Sequence, residues 1–253
     1  MLFACVSCTE RRQLQLLESA EQQISEGKAV EGAETIRRAI AVDPESRTAV
    51  KGFYRLGFTL ETYLKDFESA VQSYEQFIKH SGDAVSVYEV QKRISNLYFE
   101  QLREPEKAIE GYQKLLLISP ESLEADFFHY RIAQAEFRLN NFSASRERFQ
   151  KLLEAFPKTQ FAARARYGIG NTYFMEGRYD VSIEALKQVL RHHPGSEISV
   201  ESQFLMAQSL EHEGKLPAAL QMYESLKEKY PVREVLNLRI EETARRNRQQ
   251  SKK

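Results

Sequence analysis

Charge of one sign is what this 253-residue chain lacks most plainly. Lys+Arg and Asp+Glu balance at 36 each, so no net field steers it toward nucleic acid or an acidic partner. No apolar run approaches the roughly 20 residues that a membrane-crossing helix needs. Cysteine is nearly absent, with Cys5 and Cys8 alone, both at the start. Two thiols with no clustered partner do not complete a tetrahedral zinc site, and neither metal nor cofactor is expected. Glycine-rich phosphate loops are missing too: Gly168-Ile169-Gly170 begins like one, but no third glycine follows and the segment lies inside a helical pattern. Proline is scarce, and its placing is the most informative feature of the chain.

Four of the seven prolines stand 37 residues apart, at Pro120, Pro157, Pro194 and Pro231. A fixed period of that size means one structural unit copied along the chain. Aligned on those prolines, one column reads Asn96, Ala133, Gly170 and Ala207, mostly small. Twelve residues later comes a second small column, Ala108, Ser145, Ser182 and Ala219. Four further on stand Tyr112, Phe149, Leu186 and Tyr223, and three beyond those Leu115, Leu152, Val189 and Leu226. Steps of four and three trace one face of an α-helix. Each unit is therefore two amphipathic helices, A and B.

The turns agree. Gly177 and Gly214 close helix A, where a left-handed backbone suits glycine. Pro105 and Pro217 sit in the first turn of helix B, where a missing N–H does no harm. The periodic prolines and Pro44 fall just past helix B, where the helix must stop. No proline is placed inside a helix.

These residues resemble the tetratricopeptide repeat. The copy from Arg166 to Pro194 carries Ile169-Gly170, Tyr173, Gly177 and Pro194 at the family's positions, with Ser182 in place of its first alanine. Gly27-Lys28-Ala29 through Pro44 resembles the second half of a copy. Another runs from about Arg47 to Gly82, with Leu56-Gly57, Ala70, Tyr74 and Phe77 and a slip of one residue. The resemblance implies an all-α fold, a right-handed α-solenoid of about six helical hairpins over residues 11–231. A capping helix over 232–248 and a basic tail over 249–253 follow. No Gly/Ser/Pro-rich linker interrupts the array. The family's unit has about 34 residues, so the extra ones are expected to lengthen helix B or its connection to the next unit. That connection, Phe156-Pro157-Lys158-Thr159-Gln160-Phe161-Ala162, is similar to linkers in bacterial envelope repeat proteins. Those are the repeat lipoprotein of the outer-membrane barrel-assembly machine and the periplasmic coordinator associated with the Tol–Pal system.

Residues 1–10 read as a tether. Leu2-Phe3-Ala4-Cys5 resembles the signature before a lipidated bacterial cysteine, so Cys5 is a candidate for lipid attachment. A secretion signal needs a basic segment and about 7–15 apolar residues ahead of the cleavage site, and only four residues precede Cys5 here. Either the start lies further upstream or the pattern is chance. From Arg245 on, five cations and no anion read as the solvated end of a helix, with attachment to an anionic surface as the sharper alternative.

No catalytic constellation stands out. His192-His193 ends a helix B, where cationic or polar residues complement the dipole; His129 and His212 fall at unrelated repeat positions and read as surface residues. Carboxylates sit three or four residues from lysine on polar faces, as in Glu104/Lys107 and Glu147/Lys151, and such pairs are worth tenths of a kcal/mol. A binding role is more telling. One helix A column reads Tyr130, Tyr167 and Phe204, and one turn later stand Gln134, Asn171 and Gln208. In stacked repeats helix A lines the concave surface. There, amides pair with a peptide backbone and rings pack its side chains. Arg93, Arg131 and Arg164 add a positive rim for carboxylate recognition. The competing role for the aromatics is packing between repeats, because the preceding residues His129, Arg166 and Gln203 are polar where the family places a core residue. The exposure of Tyr167 and Asn171 separates the two. The family's clamp for chaperone tails is not reproduced. The expectation is a non-enzymatic scaffold for a protein or extended peptide, in the periplasm or on the outer membrane. A cytosolic adaptor without lipid is the alternative, and an accessory protein for a small ligand or glycan a third reading.

Overall fold

A computed structural model describes residues 8–251 of the chain. The described residues form thirteen α-helices and no strand, arranged as six hairpins and a last single helix. The chain divides into two compact units, the first ending at Ile118 and the second beginning at Ser119, one residue before Pro120. In the first, α1 (Cys8–Ser25) pairs with α2 (Ala29–Val42), α3 (Arg47–Thr59) with α4 (Phe67–His80), and α5 (Ala84–Leu97) with α6 (Pro105–Ile118). In the second, α7 (Ala125–Arg138) pairs with α8 (Phe142–Ala155), α9 (Ala162–Met175) with α10 (Tyr179–His192), and α11 (Glu197–His212) with α12 (Leu216–Ser225). The single helix α13 (Arg233–Gln250) packs on α12. No described helix is long and apolar enough to cross a membrane.

Several helix starts are fixed by side-chain caps. Ser46, Asp66, Asp83 and Ser196 accept from the backbone N–H of Ala49, Ser69, Ser86 and Ser199, each satisfying an N–H that the helix leaves open. The periodic columns are the core. Tyr74, Tyr112, Leu186 and Tyr223 are fully buried, and Phe149 nearly so. The glycines of helix A are points of closest approach. A Cβ at Gly170 would stand 2.6 Å from Leu186, and one at Gly57 2.6 Å from the Tyr74 ring. Leu115, Leu152, Val189 and Leu226 lie one turn further along the same face, all buried.

The A helices end in two ways. Gly27, Asn140, Gly177 and Gly214 take positive φ after α1, α7, α9 and α11, the left-handed ending the glycines lead one to expect. After α3 and α5 the chain instead widens into a π-helical turn, Leu60–Leu64 and Tyr98–Leu102. Lys65 and Arg103, both at φ 56°, close those turns. Each π turn inserts a residue, which is the physical origin of the slip in the second copy. It also corrects the third. With Pro120 as the reference, Asn96 falls in the small column, but the inserted residue gives that place to Ser95, fully buried against Gly111. Asn96 is one step off and accepts a hydrogen bond from the Tyr112 hydroxyl at 2.7 Å.

Hydroxyls tie the hairpins in a regular way. Where the second small column is serine, its hydroxyl donates to the helix A carbonyl opposite, Ser145 to Ala133 and Ser182 to Gly170, both at 2.8 Å. Where that column is alanine, the residue four later is tyrosine. Tyr74 donates to Glu61 at 2.7 Å, Tyr112 to Asn96, and Tyr223 to Glu211 at 3.1 Å. Hairpins two to six thus each carry one such bond. The extra residues of the 37-residue unit lie in the connections. Between α8 and α9 two successive turns, Thr159 N–H to Phe156 C=O and Ala162 N–H to Thr159 C=O, carry the chain past Pro157.

The basic C-terminal stretch is helical through residue 250, as the end of α13. Arg246 donates to Glu211, a carboxylate only 6% exposed. Arg245, Arg246 and Arg248 are all exposed, as the reading of a solvated helix end has it, and Arg246 in addition pairs with Glu211 of α11.

Candidate functional site

Helices α7, α9 and α11 of the second unit present a common face, and an open cleft of about 380 Å³ lies on it. Tyr130 and Gln134 from α7, Arg164, Tyr167 and Asn171 from α9, and Glu201 from α11 line it. The structure thus brings together five of the residues singled out in the sequence, from two consecutive repeats. Phe204 and Gln208 stand elsewhere on α11 and do not line this cleft.

The aromatics divide. Tyr130 is 9% exposed, stacked on Phe161 with ring centres 4.7 Å apart and tilted against Phe149 at 6.0 Å. Burial pushes its hydroxyl pKa up. Phe204, also 9% exposed, stacks on Tyr230 at 4.3 Å. Both rings serve packing, and both lean on residues of the connections, Phe161 and Tyr230. Tyr167 is half-buried beside Leu186, Leu205 and Met206, and burial, with the nearby Glu201, pushes its pKa up to about 12. One edge of it faces the cleft.

The amides divide as well. The Gln134 amide donates to the Tyr130 hydroxyl at 3.0 Å, and its oxygen lies 3.4 Å from Arg131. Asn171 and Gln208 are half-buried and take no protein hydrogen bond among the described residues. Asn171 therefore presents an unused donor and acceptor to the cleft beside the Tyr167 ring.

The three arginines have different fates. Arg164 lines the cleft, exposed and outside any ion pair among the described residues. Arg131 lies over the Phe127 ring at 4.9 Å and contacts Gln134. Arg93 belongs to the first unit, where it pairs with Glu61 at 2.8 Å, lies over Phe58, and lines a separate cleft of about 540 Å³. A rim built of all three is not what the structure presents, since two of the guanidinium groups are held by their own neighbours. What the sequence reading missed is the acidic wall, Glu197 and Glu201, one turn apart on α11. Glu197 follows the capping Ser196 and looks like an ordinary helix-start acid; four-residue spacing to Glu201 was the available signal.

One histidine reading needs correction. His129 is half-buried against Phe156, its Nδ1 without a protein partner, and burial lowers its pKa. His193, at the end of α10, lies 3.2 Å from the Arg166 guanidinium, and burial, then Arg166, lowers its pKa. Cys5 lies outside the described residues.

Models of the tetratricopeptide repeat match residues 130–197 and 176–234, and another model of the same repeat matches 52–83. Together they cover more than half of the chain. The chain belongs to the tetratricopeptide repeat family. Among solved tetratricopeptide repeat structures, one from Parabacteroides merdae ATCC 43184 is 23% identical over 85% of this chain and 79% of its own, with a TM-score of 0.58. PilW, described as a widely conserved type IV pilus biogenesis factor, is 15% identical over 89% of this chain and 97% of its own, with a TM-score of 0.56. YrrB, described as having an unusual peptide-binding site, is 17% identical over 83% and 99%, with a TM-score of 0.53. At these identities the likeness is one of fold. No curated protein matches the sequence.

Proposed function

We propose that this tetratricopeptide repeat protein is a non-catalytic scaffold that holds a partner polypeptide along the A-helix face of its second unit. The observation that carries the reading is the pairing of Asn171 and Tyr167 in an open cleft, the amide without a protein partner and the ring half-exposed. A primary amide offers both donor and acceptor to an extended backbone, and the ring offers a flat surface for its side chains. A peptide-binding site is described for YrrB, which has the same fold. Pulldown with the wild-type chain and with the Tyr167→Ala/Asn171→Ala double variant tests it. The variant is expected to lose the partner, and retention of an unchanged set of partners would sink the reading.

A place in the bacterial cell envelope, with lipid on Cys5, belongs to the same proposal. Its support is the Leu2-Phe3-Ala4-Cys5 pattern and the envelope-type connection around Pro157. Metabolic labelling with an alkyne fatty acid, compared between wild type and Cys5→Ser expressed from the native locus, checks it. Absence of label from the wild type would leave the cytosolic adaptor in its place.

A further inference from the structure

Helix α5 of the first unit lies between two clefts. One, of about 710 Å³, is bounded by α4, α5, the second π turn and α6, with Gln91, Ile94 and Tyr98 as its wall from α5 and the turn. The other, of about 540 Å³, is bounded mainly by the first π turn, α5 and the second π turn, with Glu89, Arg93 and Asn96 as its wall. At about 100° per residue these two sets point to opposite sides of the helix. The cleft on α1 and α3 holds about 290 Å³, and that on α7, α9 and α11 about 380 Å³. Hairpin three is thus open on both sides where it meets hairpin two.

The way α3 and α5 end accounts for the room. Elsewhere within each unit neighbouring A helices touch, α1 with α3, α7 with α9 and α9 with α11, but α3 and α5 make no contact of that extent. Both end in a π turn closed by a non-glycine residue at φ 56°, and such turns interrupt the regular ridges on which helices pack. Buried apolar side chains still join the two hairpins: Val71 and Tyr74 of α4 share a cluster with Val90 and Ile94 of α5. Arg93 adds a polar bridge. Its guanidinium donates to Glu61 at 2.8 Å, on the carboxylate oxygen that the Tyr74 hydroxyl reaches at 2.7 Å, and it lies over the Phe58 and Tyr74 rings. All of those partners belong to hairpin two.

We infer that hairpin three hinges on hairpin two, with the strip around Val71 and Ile94 as the pivot and Arg93 as the strap that holds the joint closed. Hinge motion needs an element that can move without breaking close packing, and the clefts on either side of α5 provide that space. As α5 swings, one cleft widens and the other narrows. The device lies wholly in the first unit and stands apart from the docking reading of the second.

Spin labels on the full chain provide the test, with Cys5 and Cys8 changed to serine. Labels at Gln72→Cys and Lys114→Cys span the larger cleft from α4 to α6. Labels at Glu147→Cys and Gln188→Cys take the equivalent places on α8 and α10 and serve as the reference. Double electron–electron resonance should give a broader distance distribution for the first pair than for the second. Arg93→Ala should broaden the first further, leave the second unchanged, and speed amide exchange through α5 about tenfold. Arg93→Lys, which keeps the charge, should fall between. Equal widths for the two pairs in the otherwise unaltered chain would overturn the hinge, and this comparison needs no change at Arg93. A first distribution and an α5 exchange rate that Arg93→Ala leaves unmoved would overturn the strap. Broadening of both pairs together would mean general loosening and overturn the inference as a whole.

Discussion

Hairpins two and three of the first unit and hairpins four and five of the second solve one packing problem in different ways. The former close helix A with a π turn and tie the hairpin by a tyrosine hydroxyl reaching a side chain, Tyr74 to Glu61 and Tyr112 to Asn96. The latter close helix A with a left-handed residue and tie the hairpin by a serine hydroxyl reaching backbone, Ser145 to Ala133 and Ser182 to Gly170. Hairpin six mixes the two, with a glycine ending and a tyrosine tie. The two columns four residues apart thus trade a hydroxyl between them. A large apolar residue at the second place, Phe149 or Leu186, goes with serine at the first. What the hairpin keeps is one donor, whichever column supplies it.

The comparison breaks hardest at the glycines. Gly170→Leu puts a branched side chain where a single Cβ already stands 2.6 Å from Leu186; a loss of up to about 3 kcal/mol is expected, read as a lowered denaturation midpoint. Arg246→Ala leaves the Glu211 carboxylate buried with Tyr223 as its remaining partner, and about 2 kcal/mol should be lost in denaturant titration. Tyr74→Phe and Ser182→Ala each remove one tie and should cost about 1 kcal/mol. The trade is sharpened by adding Ala70→Ser to Tyr74→Phe. If columns exchange the donor, a serine facing the Gly57 carbonyl recovers part of the loss, and no recovery would make the correlation accidental. Lys65→Gly relieves a non-glycine residue at φ 56° and should stabilise the first unit by up to about 1 kcal/mol; the same change at Gly177 is already present by nature.

The smallest effect concerns pH. The Glu201 carboxyl is held above the ordinary 4.5, so the folded chain binds that proton more tightly than the unfolded one. Its charge therefore detracts from stability at neutral pH, and the detraction fades as pH falls through the raised value to below 4.5. Glu201→Gln should raise stability at pH 7 by about 0.3 kcal/mol, with the gap to wild type closing on acidification. An equal gap at every pH would remove the charge from the account.

The helical pairs were legible because the signals are local. Prolines cannot sit inside a helix, and Gly177 and Gly214 mark left-handed turns without reference to anything distant. The π turns were hidden for the converse reason. Lys65 and Arg103 adopt positive φ with side chains that give no warning, and all four periodic prolines lie after Asn96, beyond the reach of either inserted residue. In the cleft, residue type could place Tyr130, Tyr167 and Phe204 on one helical face but not decide their burial. That depended on Phe161 and Tyr230, which reach the rings from the connections. Likewise Arg93 and Arg131 looked available until Glu61 and Phe127 were seen beside them.

The clasp between Arg246 and Glu211 differs from the hairpin ties in its reach, joining residues 35 apart where the others join residues 12 to 16 apart. A protease cut within α13 would therefore do more than trim an end. It would strip the counter-charge from a carboxylate in the interior of hairpin six, so that α11, α12 and α13 should become digestible together, as a single step.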